Sequence, residues 1–261
     1  MKLMERLEEL DDRTEDVFVI HEKFERNFDS HLHNRGQLSY VEGGIAFVES
    51  EGNSWVVPAK HFIWIPAHLP HKLRVSSKAT QLHSLYFRQY PEGDFYNNMG
   101  IYAANSLFIN IIKYSERWNE TYVNFTETKA SMLYALVDII ADQTKALNIK
   151  LPQTDHEGLQ EVLRYLEENF EQKLISKNVC RKFNLSERTY YRLFKEELNC
   201  SFLQYLQTLR IIKAIELLLK TNFSIQDIAN QVGYESLTAF SNTFLAYTHV
   251  RPLDMRLKQK K

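Results

Sequence analysis

The chain reads as an α+β protein: an antiparallel β-barrel in front, a helical connector, and an all-α domain with two helix-turn-helix motifs. Three observations predict this. Between Val17 and Phe87, short runs of β-branched and aromatic residues alternate with turn residues, as close-spaced antiparallel strands do. After Pro91-Glu92-Gly93 the apolar residues take up helical spacing. In the last hundred residues one helix-turn-helix pattern occurs twice, 49–50 positions apart. The expected domains are 1–92 for the barrel, 93–154 for the connector and 155–261 for the helical domain.

The bulk properties agree with two folded domains. With 44% hydrophobic and 25% charged residues in 261, the chain has the balance of ordinary globular protein, and disorder is not the default. The net charge of -1 hides an asymmetry. Residues 1–154 carry 16 Lys/Arg against 20 Asp/Glu, whereas 173–220 carry 10 against 4. A local basic stripe of this kind suits a polyanion, although a merely solvated helix surface has the same composition. The two cysteines, Cys180 and Cys200, form no CxxC motif, which points to a reducing, cytoplasmic setting. The acidic start MKLMERLEELDDRTED has no apolar h-region, and no run reaches membrane-spanning length, so neither a secretory signal nor a membrane partner is expected. Leu3, Leu7 and Leu10 are spaced for one or two helical turns.

The strand-like runs are VFVIHEKF, QLSYV, IAFVES, SWVVPA, FIWIPA and HKLRVSS, punctuated by Gly36, Gly43-Gly44, Gly52-Asn53 and Pro58. Tyr40, Phe47, Trp55, Trp64 and Tyr86 are the expected barrel core. Among these runs lie His31-x-His33, Gln37 and, later, Pro66-Ala67-His68-Leu69-Pro70-His71. On a strand, His31 and His33 point to one face, and neutral imidazoles converging on a point begin a transition-metal site. The other reading is a polar pocket lining or a satisfied hydrogen-bond network. His21, His61, His68 and His83 have no partner at ligand spacing and read as surface or packing residues.

Here the sequence resembles the cupin superfamily, specifically the cupin-like sensor domain of AraC/XylS-type regulators. The pattern is HxH, then Glu, then Gly; this chain has His31-x-His33, three residues, Gln37, six residues, Gly44. The resemblance covers about residues 20–90. It implies that His31, His33, Gln37 and His71 surround one divalent transition metal inside the barrel, or line an effector pocket. Gln37 stands where the pattern has a carboxylate and Val75 where many metal cupins have Asn, so the anionic ligand is missing.

Next come two expected helices, Asn97–Trp118 and Thr126–Ala146. In the second, Met132, Leu133, Leu136, Ile139 and Ile140 form a stripe that covers the barrel or pairs two chains. The polar stretch Asn148–Asp155, broken by Pro152, reads as the linker.

The second half opens with a helix over His156–Phe170. Then Lys173–Leu198 reads as helix, turn and helix, with Asn184 in the turn and Ser186 as the cap of the second helix. Arg188, Tyr191, Arg192 and Lys195 fall at i, i+3, i+4 and i+7, so one face is basic and aromatic. A long helix, Ser201–Lys220, follows. The second copy has its first helix and turn in Ile225–Tyr234 and its second helix in Glu235–Tyr247. Cys180 matches Ala229, Phe183 matches Val232 and Asn184 matches Gly233; Tyr190 and Phe194 match Phe240 and Phe244. Cys180 therefore holds a small-residue packing position. Arg251-Pro252-Leu253 starts a last short helix.

Residues 156–258 resemble the DNA-binding domain of the AraC/XylS family. Ser186-x-x-x-Tyr190-x-x-Leu193-Phe194, Tyr205, Leu209-Arg210, Ile225-x-x-Ile228-Ala229-x-x-Val232-Gly233-Tyr234, Phe240-x-x-x-Phe244 and Pro252 carry the resemblance. It implies two reading helices addressing neighbouring major-groove segments. In the first, Arg188, Tyr191 and Arg192 would meet base edges and Lys195 phosphate. In the second, Leu237, Thr238 and Asn242 would do so with no charge, since family members often have a basic residue where Asn242 or Leu245 stands here. The expectation is a transcription regulator, not an enzyme. It binds promoter DNA, senses a small molecule or metal, and works as a homodimer with RNA polymerase. A metal-dependent cupin enzyme and a regulator whose cupin only dimerises are the alternatives.

Overall fold

The computed structural model describes residues 9–22, 30–75, 80–141, 146–147 and 149–260. Leu10 is fully buried; Leu3 and Leu7 lie outside the described residues. The chain divides into two units, Met1–Glu51 with Val57–Leu147, and Gly52–Val56 with Asn148–Lys261.

The first unit is built on antiparallel strands. They are β1 (Val17–Glu22), β2 (Gly36–Glu42), β3 (Ile45–Ser50), β4 (Asn53–Pro58, whose start belongs to the second unit), β5 (His61–Ile65), β6 (Lys72–Val75), β7 (Gln81–Phe87), β8 (Gly100–Ala103) and β9 (Thr121–Val123). Six of them form one sheet in the order β8-β5-β2-β7-β1-β9, and β3 pairs with β6 in another. Gly43 and Gly44, at φ 64° and 76°, make the tight turn from β2 to β3, where two successive positive φ values exclude most residues.

Strand alternation gives the six-stranded sheet two different faces. On one, Val17, Val19, Leu38, Tyr40, Trp64 and Leu85 pack beneath α2 (Ser106–Ser115) and α3 (Thr128–Ala141). Phe108 and Ile112 of α2, with Leu133, Leu136, Val137 and Ile140 of α3, complete that core. Each such buried side chain contributes about 1.5–3 kcal/mol relative to exposure. The expected apolar stripe on α3 is thus used within the chain at Leu133, Leu136 and Ile140, while Met132 and Ile139 stay half-buried. The opposite face carries Gln37, Ser39 and Ser84.

Two expectations change here. The single helix over Asn97–Trp118 is instead the short α1 (Asp94–Asn97), then β8, then α2 and a 3₁₀ turn at Glu116–Trp118. Residues His61–Trp64 of β5 offer a sheet edge that Gly100–Ala103 pair with, and Asn105 caps α2 by accepting from the Phe108 N–H at 2.8 Å. Tertiary pairing overrides helical spacing in this stretch. Of the five expected core aromatics, Tyr40, Phe47, Trp64 and Tyr86 are buried, but Trp55 is half-buried in the second unit, with Lys150 Nζ 5.0 Å above its ring.

The second unit begins with β10 (Lys150–Pro152), paired with β4 through Lys150↔Trp55, so the polar linker holds a strand. Then come α4 (Glu157–Glu168), α5 (Ser176–Lys182), α6 (Glu187–Leu198), α7 (Phe202–Lys220), α8 (Ile225–Gln231), α9 (Leu237–Thr248) and α10 (Pro252–Lys260). The duplication seen in the sequence is three-dimensional. Helices α5 and α8 have 7 residues each, and α6 and α9 have 12 each. Leu185 N–H donates to the Cys180 carbonyl as Tyr234 N–H does to Ala229, both at 2.9 Å. Asn184 and Gly233 hold the turns at φ 52° and 82°, and Asn199 and His249 stop α6 and α9 in the left-handed region. Among the described residues, no helix is long and apolar enough to cross a membrane.

Candidate functional site

The basic face of α6 follows from how that helix is anchored. Ser186 Oγ accepts from the Thr189 N–H at 3.1 Å, which fixes the helix start. Tyr190, Leu193, Phe194 and Leu198 are buried against α4 and α7 residues such as Leu159, Leu166, Tyr205 and Leu209. With 3.6 residues per turn, that leaves Arg188, Tyr191, Arg192 and Lys195 together on the exposed side. Tyr191 Oη lies 2.9 Å from Ser176 Oγ of α5, so the phenol is oriented from the neighbouring helix. Arg192 Nη1 donates to Glu196 Oε2 at 3.1 Å, with both side chains more than half exposed. A pair so open to water is weak and competes only mildly with another anion. Cys180 is buried at the helix contact, and burial raises its thiol pKa; the thiol there is a packing group.

The face of α9 is different. Phe240 and Phe244 are buried, and Leu237, Thr238 and Asn242 are exposed. Ser236 Oγ caps it through the Ala239 N–H at 3.3 Å. No Lys or Arg lies on α9 itself, but Arg251, just past its end, reaches back so that Nη1 is 3.5 Å from Asn242 Oδ1. The exposed Arg251 supplies the charge that α9 lacks. Its distance of nine positions from Asn242 is too long for a helical i,i+4 pattern to reveal.

Arg210 of α7 joins the two motifs. Its Nε donates to the Phe170 carbonyl and its Nη2 to the Gln172 carbonyl, each at 2.8 Å, and its guanidinium lies 5.6 Å from the Tyr234 ring centroid. A Cβ at Gly233 would stand 2.7 Å from Arg210 Nη2 and from the Glu171 backbone oxygen.

In the first unit, His31, His33 and His71 come together, each offering a ring nitrogen within 4.8 Å of the others. His31 and His71 are joined by backbone hydrogen bonds in both directions, at 3.0 and 2.9 Å. His33 and His71 are each only 1% exposed. His33 Nδ1 faces the Arg35 carbonyl and His71 Nδ1 the Leu69 carbonyl, both at 2.8 Å. A carbonyl only accepts, so both rings carry their proton on Nδ1 and leave Nε2 as an acceptor. Both Nε2 atoms meet one end of the Gln37 amide, at 3.0 and 2.9 Å, and the other end meets Ser39 Oγ at 2.8 Å.

With no ion between the rings, this geometry selects the amide's orientation. An amide oxygen between two imidazole lone pairs leaves three acceptors facing one another. Turned by half a rotation, the amide gives one N–H to each ring and accepts from Ser39, whose Oγ is 2.8 Å from Ser84 Oγ. Each of these contacts then has a donor and an acceptor. Burial holds both imidazoles neutral, with His71 pushed down to about 3 and His33 also lowered. In that orientation the chain through Gln37, Ser39 and Ser84 is neutral, and His31, His33, Gln37 and His71 bring no carboxylate to the point where they meet.

His21 and His83 were expected to stand apart. Instead, the antiparallel register of β1 and β7 sets them opposite one another, with Nδ1 atoms 2.8 Å apart. Sixty-two positions separate them in sequence, and strand pairing is what closes that distance.

Comparison with known proteins bears on both units. Residues 16–101 match a family described as the AraC-like ligand binding domain, and residues 179–258 match one described as a helix-turn-helix domain. The chain is similar to the lactose operon transcription activator of Staphylococcus xylosus, 31% identical over 126 residues, which are 48% of this chain and 44% of that one. It is similar to the raffinose operon transcriptional regulatory protein RafR of Pediococcus pentosaceus, 36% identical over 107 residues, 41% of this chain and 38% of that one. A longer match, 25% identical over 219 residues, is to the HTH-type transcriptional regulator NimR of Escherichia coli K12; it covers 82% of this chain and 77% of NimR. The first two matches span less than half of those relatives' own lengths.

Proposed function

Because the chain belongs to the AraC family, with that family's ligand binding domain ahead of a helix-turn-helix domain, we propose that it is a sequence-specific, DNA-binding transcription regulator. The observation that carries this is the exposed row Arg188, Tyr191, Arg192 and Lys195 on a capped and deeply anchored helix. Arg188 and Arg192 are suited to bidentate contacts with guanine and Tyr191 to a base edge; Lys195 and Arg251 are suited to phosphate. Helix α9 reads the neighbouring segment through Leu237, Thr238 and Asn242.

The first unit senses a small molecule. The buried polar chain of His33, His71, Gln37, Ser39 and Ser84 is neutral, which disfavours an anionic effector and favours a neutral one. Two relatives are named for the lactose and raffinose operons, which favours a sugar. Effector binding biases the chain between two states of DNA affinity. Homodimerisation and contact with RNA polymerase belong to the same proposal.

Sequencing of DNA captured by the full chain from a fragmented genomic library tests the reading. One enriched motif is expected, bound more weakly by Arg188→Ala and Arg192→Ala. Binding without sequence preference, or a motif indifferent to both changes, refutes it.

A further inference from the structure

The two reading helices share one scaffold and carry different surface chemistry. Each has 12 residues, a serine cap and a left-handed stop, at Asn199 for α6 and His249 for α9. Each turns two fully buried aromatics inward, Tyr190 and Phe194 in α6, Phe240 and Phe244 in α9. Aligned on those pairs, 50 positions apart, Arg188 falls on Thr238, Arg192 on Asn242 and Lys195 on Leu245. The shared anchoring turns the same side of each helix outward, and Arg188, Arg192, Thr238 and Asn242 are all exposed. Helix α9, LTAFSNTFLAYT, has no charged side chain.

What each face recognises follows from its donors and acceptors. An arginine has only donors, set in a planar fork. In the major groove that fork matches guanine, which presents two acceptors side by side, O6 and N7. Asn242 carries one group of each kind. Because Arg251 only donates, the amide end 3.5 Å from its Nη1 is the oxygen. At that length the contact is weak, and the oxygen keeps a second lone pair. With Nδ2–H it forms the acceptor and donor that match adenine N6–H and N7. Thr238 and Leu237, the latter 38% exposed, offer apolar groups, and their match in the groove is the thymine methyl. The motifs are joined by α7, whose 19 residues span about 28 Å. A turn of DNA is about 34 Å, so a spacer of that order sets the two faces on neighbouring major-groove segments of one duplex.

We infer that one chain's DNA target consists of two chemically different segments about one helical turn apart. The segment under α6 requires guanine, read by Arg188 and Arg192. The segment under α9 requires A·T pairs, with adenine read by Asn242 and thymine methyl groups by Leu237 and Thr238. The inference rests on the DNA-binding reading above and specifies the substrate of that site. The footprint of one chain then has no internal repeat, although the domain that reads it does.

The test measures binding of the full chain to its captured site, with base analogues that keep Watson–Crick pairing. Replacing guanine by 7-deazaguanine removes one acceptor from the arginine fork; replacing thymine by uracil removes only the methyl group. The first change should weaken binding at least about fivefold in one segment, and the second about fourfold per methyl group in the other. Arg192→Ala should relax the guanine segment alone. Asn242→Arg, at an exposed position, gives α9 the chemistry of α6. It should change one preferred adenine to guanine and leave the other segment unaltered. If that variant fails to fold by circular dichroism, the analogues on the wild-type chain decide alone. Guanine required in both segments, or indifference to uracil throughout, overturns the inference while the DNA-binding reading stands. So does a folded Asn242→Arg variant with the wild-type preference. Binding without any sequence preference removes that reading and the inference with it.

Discussion

Acidification should destabilise the first unit, and the main contributor can be named. The His71 imidazole is driven down to about 3 by burial first and then by the neighbouring His31, with the Leu69 carbonyl opposing. In the unfolded chain the same ring titrates near 6.5. Between those values the unfolded chain binds a proton that the native one refuses. Stability from this group is therefore complete above pH 6.5 and falls as the pH drops towards 3. At pH 5, 1.5 pH units below the unfolded value, the loss from His71 is about 2 kcal/mol. His33 is shifted in the same direction and adds to it. Urea unfolding of the full chain with chelator present, at pH 8 and pH 5, measures the loss through tryptophan emission, to which the buried Trp64 contributes. The variant His71→Asn keeps a donor towards Leu69 but does not titrate. Its stability at pH 8 should fall, while its loss between pH 8 and pH 5 shrinks by about 2 kcal/mol. Equal pH dependence in the two proteins would show that the neutral, buried imidazole has been misread.

Three further outcomes are expected. Arg192→Ala should weaken binding to the preferred DNA site by about 1–3 kcal/mol, and Glu196→Gln, which frees Arg192, should strengthen it by less than about 1 kcal/mol; a gel-shift titration measures both. Arg251→Ala should weaken binding to all sequences alike and reduce the slope of log affinity against log salt by about 1; a loss confined to one sequence would make Arg251 a base reader instead. Gly233→Ala places a Cβ at φ +82°, against Arg210 and the Glu171 carbonyl. It should destabilise the second unit by at least about 1–3 kcal/mol, whereas Asn184→Gly in the matching turn should change thermal stability little.

The helical half was legible because its signals are local. Ser186, Asn184 and the spacing of Tyr190, Leu193 and Phe194 are read within one or two turns, and the repeat confirms each of them. The reading faces follow from which residues the core takes. Arg251 at Asn242 was not legible, because the link passes around a helix end that His249 turns in the left-handed conformation. In the sheet unit, His31, His33 and His71 were found through a pattern of residues and its resemblance. His21 and His83 have no such pattern; the register of β1 against β7 brings them together. Gly100–Ala103 read as helix because apolar spacing alone cannot register an open edge on β5.

His83 and Ser84 are consecutive on β7 and point to opposite sides of the sheet. His83 meets His21 on one side, and Ser84 meets Ser39 on the other. A slip of β7 by one residue would exchange the two sides. It would drive an imidazole into the space of a hydroxyl and strand buried polar groups on both faces at once, at about 1–3 kcal/mol for each group left unsatisfied. The apolar residues of β7 give weaker discrimination, since Leu82, Leu85, Tyr86 and Phe87 are buried on either side. The two polar clusters therefore act as a lock on strand alignment during folding.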